Sequence, residues 1–435
     1  MEPVTIGMLG LLGMFVLIAL HVPIGIAMGL TGLIGVGLII GFGPAVTLLG
    51  TEPSAAMSNP GLATLAMFLL MGSFAASGGL SGEVYRLAYA FVGHFRGGLA
   101  MATIGGCAGF GAVCGSSVAT TATMSRIALP EMLSRGYSRE LASGSIAAGG
   151  TLGMLIPPSV VMILYGILTE HSVIALFSAA VIPGLLSVVV YFLAIATVVR
   201  LTPTAGPRGP VVPWSERFPI VKECWAVLLL ATVVSGGIYS GVFTVIEAAS
   251  VGASMAFLIA LVRRRLSWKV FLDCMAETAG NTGLIFLIII GASIFSYFIT
   301  LSQLPAAVVD GIQSLDLHPL LVIVLLQAMF LVLGSIFDTV AAMVITLPFT
   351  YPLVVALGFD PIWWGVINVI VMEIGMITPP IGINVFVLHG MANDLPLGVI
   401  FKGIMPFFIA DLIRLAILTL FPPLTLWLPV AIGVY

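Results

Sequence analysis

Two short polar stretches sit inside long apolar runs: Cys114-Gly115-Ser116-Ser117 and Phe337-Asp338-Thr339. Two proline pairs interrupt apolar runs in the same way, at Ile156-Pro157-Pro158-Ser159 and at Thr378-Pro379-Pro380. Consecutive prolines remove backbone donors and break a helix. At such a break one half-helix ends in free carbonyls, which suit a cation. The next begins with free amides at the positive end of its dipole, which suit an anion. Ser116, Ser117 and Thr339 add hydroxyl oxygens, and Asp338 adds a carboxylate. Hard oxygen donors without a Cys/His cluster favour Na⁺ over a transition metal. Four acidic residues lie in or near apolar segments, Glu247, Asp338, Glu373 and Asp411. Intramembrane carboxylates are costly and are usually functional or paired. Asp338 at its polar tip and Glu373, five residues before Thr378, are the better candidates; Asp411 and Arg414, three apart, read as a local ion pair.

Those stretches need elements that carry them at membrane depth. The chain has 435 residues, 60% of them hydrophobic and 8% charged, against about 25% charged in a soluble protein. Mean hydropathy is +1.22. A soluble enzyme, a secreted disulfide scaffold and a disordered chain are all excluded. On the order of ten spans of about 20 residues remain. A net charge of -3 with no basic stripe gives nucleic acid no purchase. Cys107, Cys114, Cys224 and Cys274 form no CxxC pair and read as buried thiols. The first twenty residues lack a basic n-region and a cleavage site, so they read as a retained helix. Gly79-Leu80-Ser81-Gly82 matches the GxSG of rhomboid-type proteases. It falls at a helix end with no partner histidine, and no two-aspartate or HExxH arrangement occurs, so the chain does not read as an enzyme.

Sliding the sequence by 222 residues aligns Asn59-Pro60-Gly61-Leu62 with Asn281-Thr282-Gly283-Leu284. The same shift aligns Gly153 to Pro158 with Gly375 to Pro380. Repeats of this kind are typical of secondary transporters. The first repeat covers 1–200, a polar linker 201–223, and the second repeat 224–435. In the first, spans fit at 5–20, 23–43, 60–79, 139–169 (broken at the prolines) and 172–200. A surface helix fits at 83–96, and a re-entrant hairpin at 98–133 with arms of about 16 residues, some 24 Å. In the second, spans fit at 224–241, 243–263, 281–300, 360–391 (broken) and 403–428. A surface helix near 303–316 and a hairpin at 319–355 complete it. Five crossings per repeat force the repeats to be inverted. The expected fold is an all-α polytopic membrane protein of two inverted repeats, each of five spans and one hairpin. With Met1 outside, all fifteen Lys and Arg, from Arg86 to Arg414, fall near the inner face, while Glu52, Glu170, Asp310, Asp316 and Asp360 lie outside.

The segments FGAVCGSSVATTATMSRIALPEMLSRGY, ASGSIAAGGTLGMLIPPSVVMILYG, GVFTVIEAASVGA, SIFDTVAAMVITLPFTYPLV and EIGMITPPIGINVFVLHG resemble the large membrane subunit of TRAP transporters (tripartite ATP-independent periplasmic transporters). The likeness runs over essentially the whole chain. The tips and proline breaks are more distantly similar to the divalent anion–sodium symporters of the same ion-transporter superfamily. The resemblance implies an elevator, with a fixed scaffold at 5–96 and 224–316 and a moving transport domain at 98–200 and 319–428. It implies a bacterial inner-membrane location within lipid, a small four-helix membrane subunit, and a periplasmic binding protein that delivers an organic anion. That anion would be a C4-dicarboxylate, a sialic acid or a similar carboxylate. The alternative is a self-sufficient sodium–dicarboxylate symporter without a binding protein.

Two Na⁺ sites are expected. Ser116 and Ser117, with backbone around Thr151 and from Gly153 through Pro157 to Pro158, would form one. Asp338 and Thr339, with the stretch from Glu373 through Thr378 and Pro379 to Pro380, would form the other. The anion is expected between the tips, near Ser117, Asp338 and Thr339, with no obligatory arginine. Amides of the half-helices that start after Pro158 and Pro380 would help to hold it. The topology places both chain ends in the periplasm and the linker in the cytoplasm. A cysteine introduced within 201–223 should resist an impermeant thiol reagent in intact cells, and labelling there would reverse the orientation.

Overall fold

Hydrocarbon offers backbone amides and carbonyls no partner, so a chain of this composition must satisfy them within helices. The computed structural model describes residues 2–392 and 394–435, and every regular element among them is helical. In the first repeat these are α1 (Pro3–Ala19), α2 (Ile24–Ile40), α3 (Phe42–Ser58), α4 (Pro60–Ser77) and α5 (Leu80–Val92). A helical hairpin follows, α6 (Gly98–Cys114) and α7 (Ser117–Ser134), then the broken pair α8 (Arg139–Leu155) and α9 (Val160–Thr169), and α10 (Val173–Leu201). The linker holds a 3-10 turn at Pro203–Ala205 and α11 (Trp214–Glu223). The second repeat contains α12 (Trp225–Tyr239), α13 (Val245–Val262), α14 (Trp268–Leu301) and α15 (Leu304–Ser314). Its hairpin is α16 (Pro319–Ile336) and α17 (Thr339–Ala356), and its broken pair α18 (Pro361–Gly375) and α19 (Ile383–Met391). It ends with α20 (Leu397–Leu420) and α21 (Pro423–Ala431). Eight stretches, counting α8 and α9 as one, are long and apolar enough to cross a bilayer. This is a multi-pass membrane protein.

The repeats pack as counterparts. α2 lies along α14 as α13 lies along α4, and α6 lies along α8 as α16 lies along α18. One element has no separate counterpart. The sequence suggests no helix between 43 and 60, because Gly43, Pro44, Gly50 and Pro53 crowd that stretch. The structure nevertheless winds α3 there. Its equivalent in the second repeat is the start of the 34-residue α14. Pro60 at the first turn of α4, with the Asn59 side chain accepting from the Gly61 amide at 2.8 Å, separates α3 from α4. Thr282 at the matching place lets α14 run on.

The hairpin arms have 17 or 18 residues, about 27 Å at most. That is slightly longer than the sequence reading, so length alone does not decide whether they cross. Their tips do. Ser117 at one tip and Thr339 at the other both reach the sulfur of Met376, between α18 and α19. The two hairpins, from opposite repeats, thus end on one interior residue.

The linker is better ordered than its composition suggests. The Gly97 amide donates to the Gly206 carbonyl at 3.0 Å, Ser138 to Ala205 at 2.9 Å and Gly209 to Gly93 at 3.1 Å. The Tyr137 hydroxyl donates to the Pro207 carbonyl at 3.0 Å. The linker therefore straps the base of the first hairpin. α11 then meets α12 at a bend of 59°. Arg263 pairs with Glu83, Arg86 with Glu223 and Lys402 with Glu140 on this side. Glu170, Asp360 and Tyr435 gather around one hollow at the far end of α9.

Broken helices and hairpin arms touch through glycine. A Cβ on Gly111 would sit 2.6 Å from the Gly153 Cα, and one on Gly375 would sit 2.6 Å from the Gly334 carbonyl carbon. Backbone opposes backbone here, so nothing can swing aside. Gly111→Ala should lower the thermal stability of the purified protein by about 1–3 kcal/mol, the usual range for overpacking. Gly82→Ala, with open space around its Cβ, should not. Equal melting temperatures for the two variants would contradict the close crossing.

Candidate functional site

The first tip is built by a glycine and a serine. Gly115 closes α6 at φ +66°, a conformation that favours glycine. Ser116 then turns extended and caps α7: its Oγ accepts from the Ala119 amide at 3.4 Å, and its carbonyl accepts from the Thr120 amide at 3.1 Å. Ser117 is fully buried, and its hydroxyl lies 3.4 Å from Met376 Sδ and 3.3 Å from Asn384 Oδ1. At the second tip Asp338 caps α17. Its Oδ2 accepts from the Val340 amide at 3.0 Å. Thr339 is buried, and its hydroxyl donates to Met376 Sδ at 3.1 Å. Sequence reasoning missed Met376 and Asn384. A methionine in an apolar run reads as core. Asn384 carried a usable signal, a lone amide just past a proline break. Its Nδ2 donates to the Ala147 carbonyl of α8 at 3.4 Å, and its backbone amide donates to the Met376 carbonyl at 3.1 Å.

The two breaks differ. At the first, Pro157 and Pro158 are buried. Gly153 lets α8 reach the first tip, since a Cβ there would lie 2.8 Å from the Ser116 carbonyl oxygen. At the second, Pro379 and Pro380 are exposed. The Thr378 hydroxyl donates to the Ile374 carbonyl at 2.6 Å, and the Gly382 amide donates to the Ser335 carbonyl at 3.0 Å. The structure thus brings Ser116, Ser117, Gly153, Asp338, Thr339 and both breaks around one centre.

Thr151 and Glu373 lie elsewhere. The Thr151 hydroxyl donates to Ala148 at 2.7 Å and lies 3.4 Å from the Tyr191 hydroxyl. Tyr191 donates to Asp411 Oδ2 at 2.8 Å, Asp411 pairs with Arg414 at 3.0 Å, and Arg414 donates to Ser187. Arg414 and Glu373 are fully buried and Asp411 is 1% exposed. The charged neighbours of Glu373 are Arg414 and Asp411, and neither carboxylate oxygen of Glu373 has a hydrogen-bond partner among the described residues. Two corrections follow. Glu373 belongs with this buried charge group rather than with Asp338. Arg414 does not lie near the inner face, because twelve residues of α20, about 18 Å, separate it from Lys402. Glu247 is a helix cap: its carboxylate accepts from the Thr244 amide at 2.8 Å and the Thr244 hydroxyl at 2.9 Å.

A cavity of about 490 Å³ opens between α4, α7 and α14 and reaches Cys114 and Ser116. Glu277 on its α14 wall accepts from the Ser73 hydroxyl at 2.9 Å, and Arg126 lies further along α7. A second cavity, also about 490 Å³, occupies the matching α14–α17 face. It stops at Val344, five residues short of Thr339. The first cavity reaches a tip and the second does not.

The family profile of the tripartite ATP-independent periplasmic transporters, DctM component, matches residues 11–424. The chain is 36% identical to the C4-dicarboxylate TRAP transporter large permease protein DctM of Pseudomonas aeruginosa, covering 92% of this chain and 94% of that one. It is 35% identical to the protein of the same name from Vibrio cholerae, covering 94% of each. It is 29% identical to the sialic acid TRAP transporter large permease protein SiaM of Vibrio cholerae, covering 93% and 98%. Among solved structures, the Alcanivorax borkumensis YdaH transporter overlays with a TM-score of 0.60 at 15% identity, covering 90% of each chain. Neisseria gonorrhoeae MtrF does so at 0.62 and 13%, covering 97% and 95%. At such identities these two share the fold alone.

The buried charge group generates its own expectation. Removing one partner of a buried pair strands the other at a cost of about 3–5 kcal/mol. Arg414→Met should destabilise the purified protein by that order in a denaturation assay. Asp411→Leu combined with Arg414→Met should recover part of the loss. An unchanged single variant would show that the pair is idle.

Proposed function

The chain belongs to the DctM family of tripartite ATP-independent periplasmic transporters, and from this premise we propose that it carries an organic acid anion inward across the bacterial inner membrane together with Na⁺. The relatives are permeases, not enzymes. The substrates that three of them are named for, C4-dicarboxylates and sialic acid, set the substrate class of this proposal. A small four-helix membrane subunit and a periplasmic binding protein are the proposed partners.

One observation carries the reading. Both hairpin tips end on Met376, so the break of one repeat is enclosed by polar caps from both. The donor set there fits Na⁺. The Thr339 hydroxyl donates to a thioether, and the Ser117 hydroxyl faces that thioether and the Asn384 amide oxygen, which leaves lone pairs on both hydroxyl oxygens to a cation. Ser116 and Asp338 add oxygens beside them. In the proposed cycle α6–α10 and α16–α20 move as a transport domain against α1–α5 and α12–α15. The cavity at Ser116 is the route that one end state opens to the substrate.

Na⁺ also answers the charge arithmetic. Asp338 and a substrate monocarboxylate bring two negative charges to a low-dielectric region, which two Na⁺ balance; a dicarboxylate leaves one negative charge in excess. A neutral load moves at far lower cost than a bare anion. Na⁺ and substrate binding then favour each other, by reciprocal linkage. In proteoliposomes holding the three components, replacing Na⁺ with choline should abolish uptake. Ser117→Ala and Thr339→Ala should shift Na⁺ activation to higher concentration. Undiminished uptake in choline would reject Na⁺ coupling.

A further inference from the structure

The strap across the base of the first hairpin contains an antiparallel bridge between Arg96 and Arg208. Residues opposite each other in such a bridge put their side chains on one face, with Cβ atoms about 5 Å apart. Two guanidinium groups thus leave the backbone side by side. Like charges in that position oppose the pairing. The strap holds them there through the backbone bonds of Gly97 to Gly206 and of Gly209 to Gly93. Both arginines are exposed, and neither forms an ion pair among the described residues. The carboxylates of adjoining elements are engaged elsewhere: Glu131 pairs with Arg135, Glu140 with Lys402 and Glu223 with Arg86.

Aromatic side chains and a third cation continue this edge. Phe95, next to Arg96, is 50% exposed, and Trp214 at the start of α11 is 74% exposed. Phe91 meets Trp214 edge-on at 6.3 Å, so the end of α5 and the start of α11 share one surface. The Arg217 guanidinium lies over both rings, 4.6 Å from the centre of Trp214 and 5.5 Å from that of Phe91, while its Nε donates to the Val212 carbonyl at 3.0 Å. Exposed rings beside arginines suit the headgroup level of a bilayer. Under the orientation that charge placement favours, this edge faces the cytoplasmic leaflet, whose surface is negative.

We propose that the Arg96–Arg208 pair, with Trp214 and Arg217 further along the same edge, is a binding site for an anionic phospholipid whose headgroup phosphate bridges the two guanidiniums. Each arginine presents a fork of N–H donors that matches phosphate oxygens. The bound phosphate replaces mutual repulsion by a common attraction. The exposed rings commit the site to a lipid, since they offer acyl chains a contact that a free phosphate ion does not use. Arg96 precedes the first hairpin and Arg208 belongs to the strap, so the lipid staples the strap to the hairpin base. This holds whatever solute the transporter carries.

The test is lipid binding to the purified chain in a neutral detergent, read by native mass spectrometry with phosphatidylglycerol and phosphatidylcholine of the same acyl chains. The wild type should bind phosphatidylglycerol the more tightly. Arg96→Gln and Arg208→Gln should each weaken that binding about fivefold, and together about 25-fold, the contribution of one and of two basic side chains at an anionic surface. Phosphatidylcholine binding and the melting temperature in that lipid should not change, since both side chains are exposed. Arg264→Asn with Lys269→Gln removes two exposed cations at the α13–α14 corner that form no ion pair among the described residues. It should leave phosphatidylglycerol binding at the wild-type level. Unchanged binding in the Arg96/Arg208 double variant, or an equal loss in the Arg264/Lys269 variant, would overturn the site. Inorganic phosphate that displaces phosphatidylglycerol at equal concentration would overturn the lipid as its occupant.

Discussion

The constraint on which the rest depends is that a backbone donor or acceptor has no partner in hydrocarbon. Four interruptions, two tips and two breaks, each release such groups at membrane depth. They are tolerable because they are brought together. The Gly382 amide bonds to Ser335 of its own repeat's hairpin, Asn384 ties α19 to α8 and to Met376, and Ser116 and Asp338 each hold an amide at the start of their own helices. Close glycine crossings at Gly111 with Gly153 and at Gly334 with Gly375 set the distances. What remains unpaired after this mutual satisfaction is the capacity to bind.

Much of this was legible in the chain. The 222-residue repeat, the polar tips and the proline pairs locate every interruption because prolines and glycines act locally. The hairpins and broken spans lie within a few residues of their expected bounds for the same reason. α3 was not legible, since its prolines and glycines imitate a loop and its helix is held by neighbours such as α2 and α14. Met376 was not legible either. Its role as the meeting point of two tips is a property of how the repeats interlock, and no residue type announces it.

Charge was the least transferable signal. The sequence gives Arg414 its partner Asp411 by spacing but not Tyr191 or Ser187, and its type alone placed it at the inner face. The structure encloses it with Asp411, Tyr191 and Ser187 at the packing of α10 against α20. Glu373 joined the same group from α18. Spacing alone suggested the Asp411–Arg414 pair, because three residues on a helix share a face. The third member comes from another element and leaves no trace in spacing.

The strap over the first hairpin sets a reach. Ala205, Gly206, Pro207 and Gly209 are bonded at the hairpin base, while α11 continues into α12. Four residues, 210–213, lie between the last of these anchors and α11. Fully extended they cover at most ~14 Å. The linker is thus a tether of fixed length, and its slack bounds how far the hairpin base and the α11–α12 corner can part without unwinding a helix.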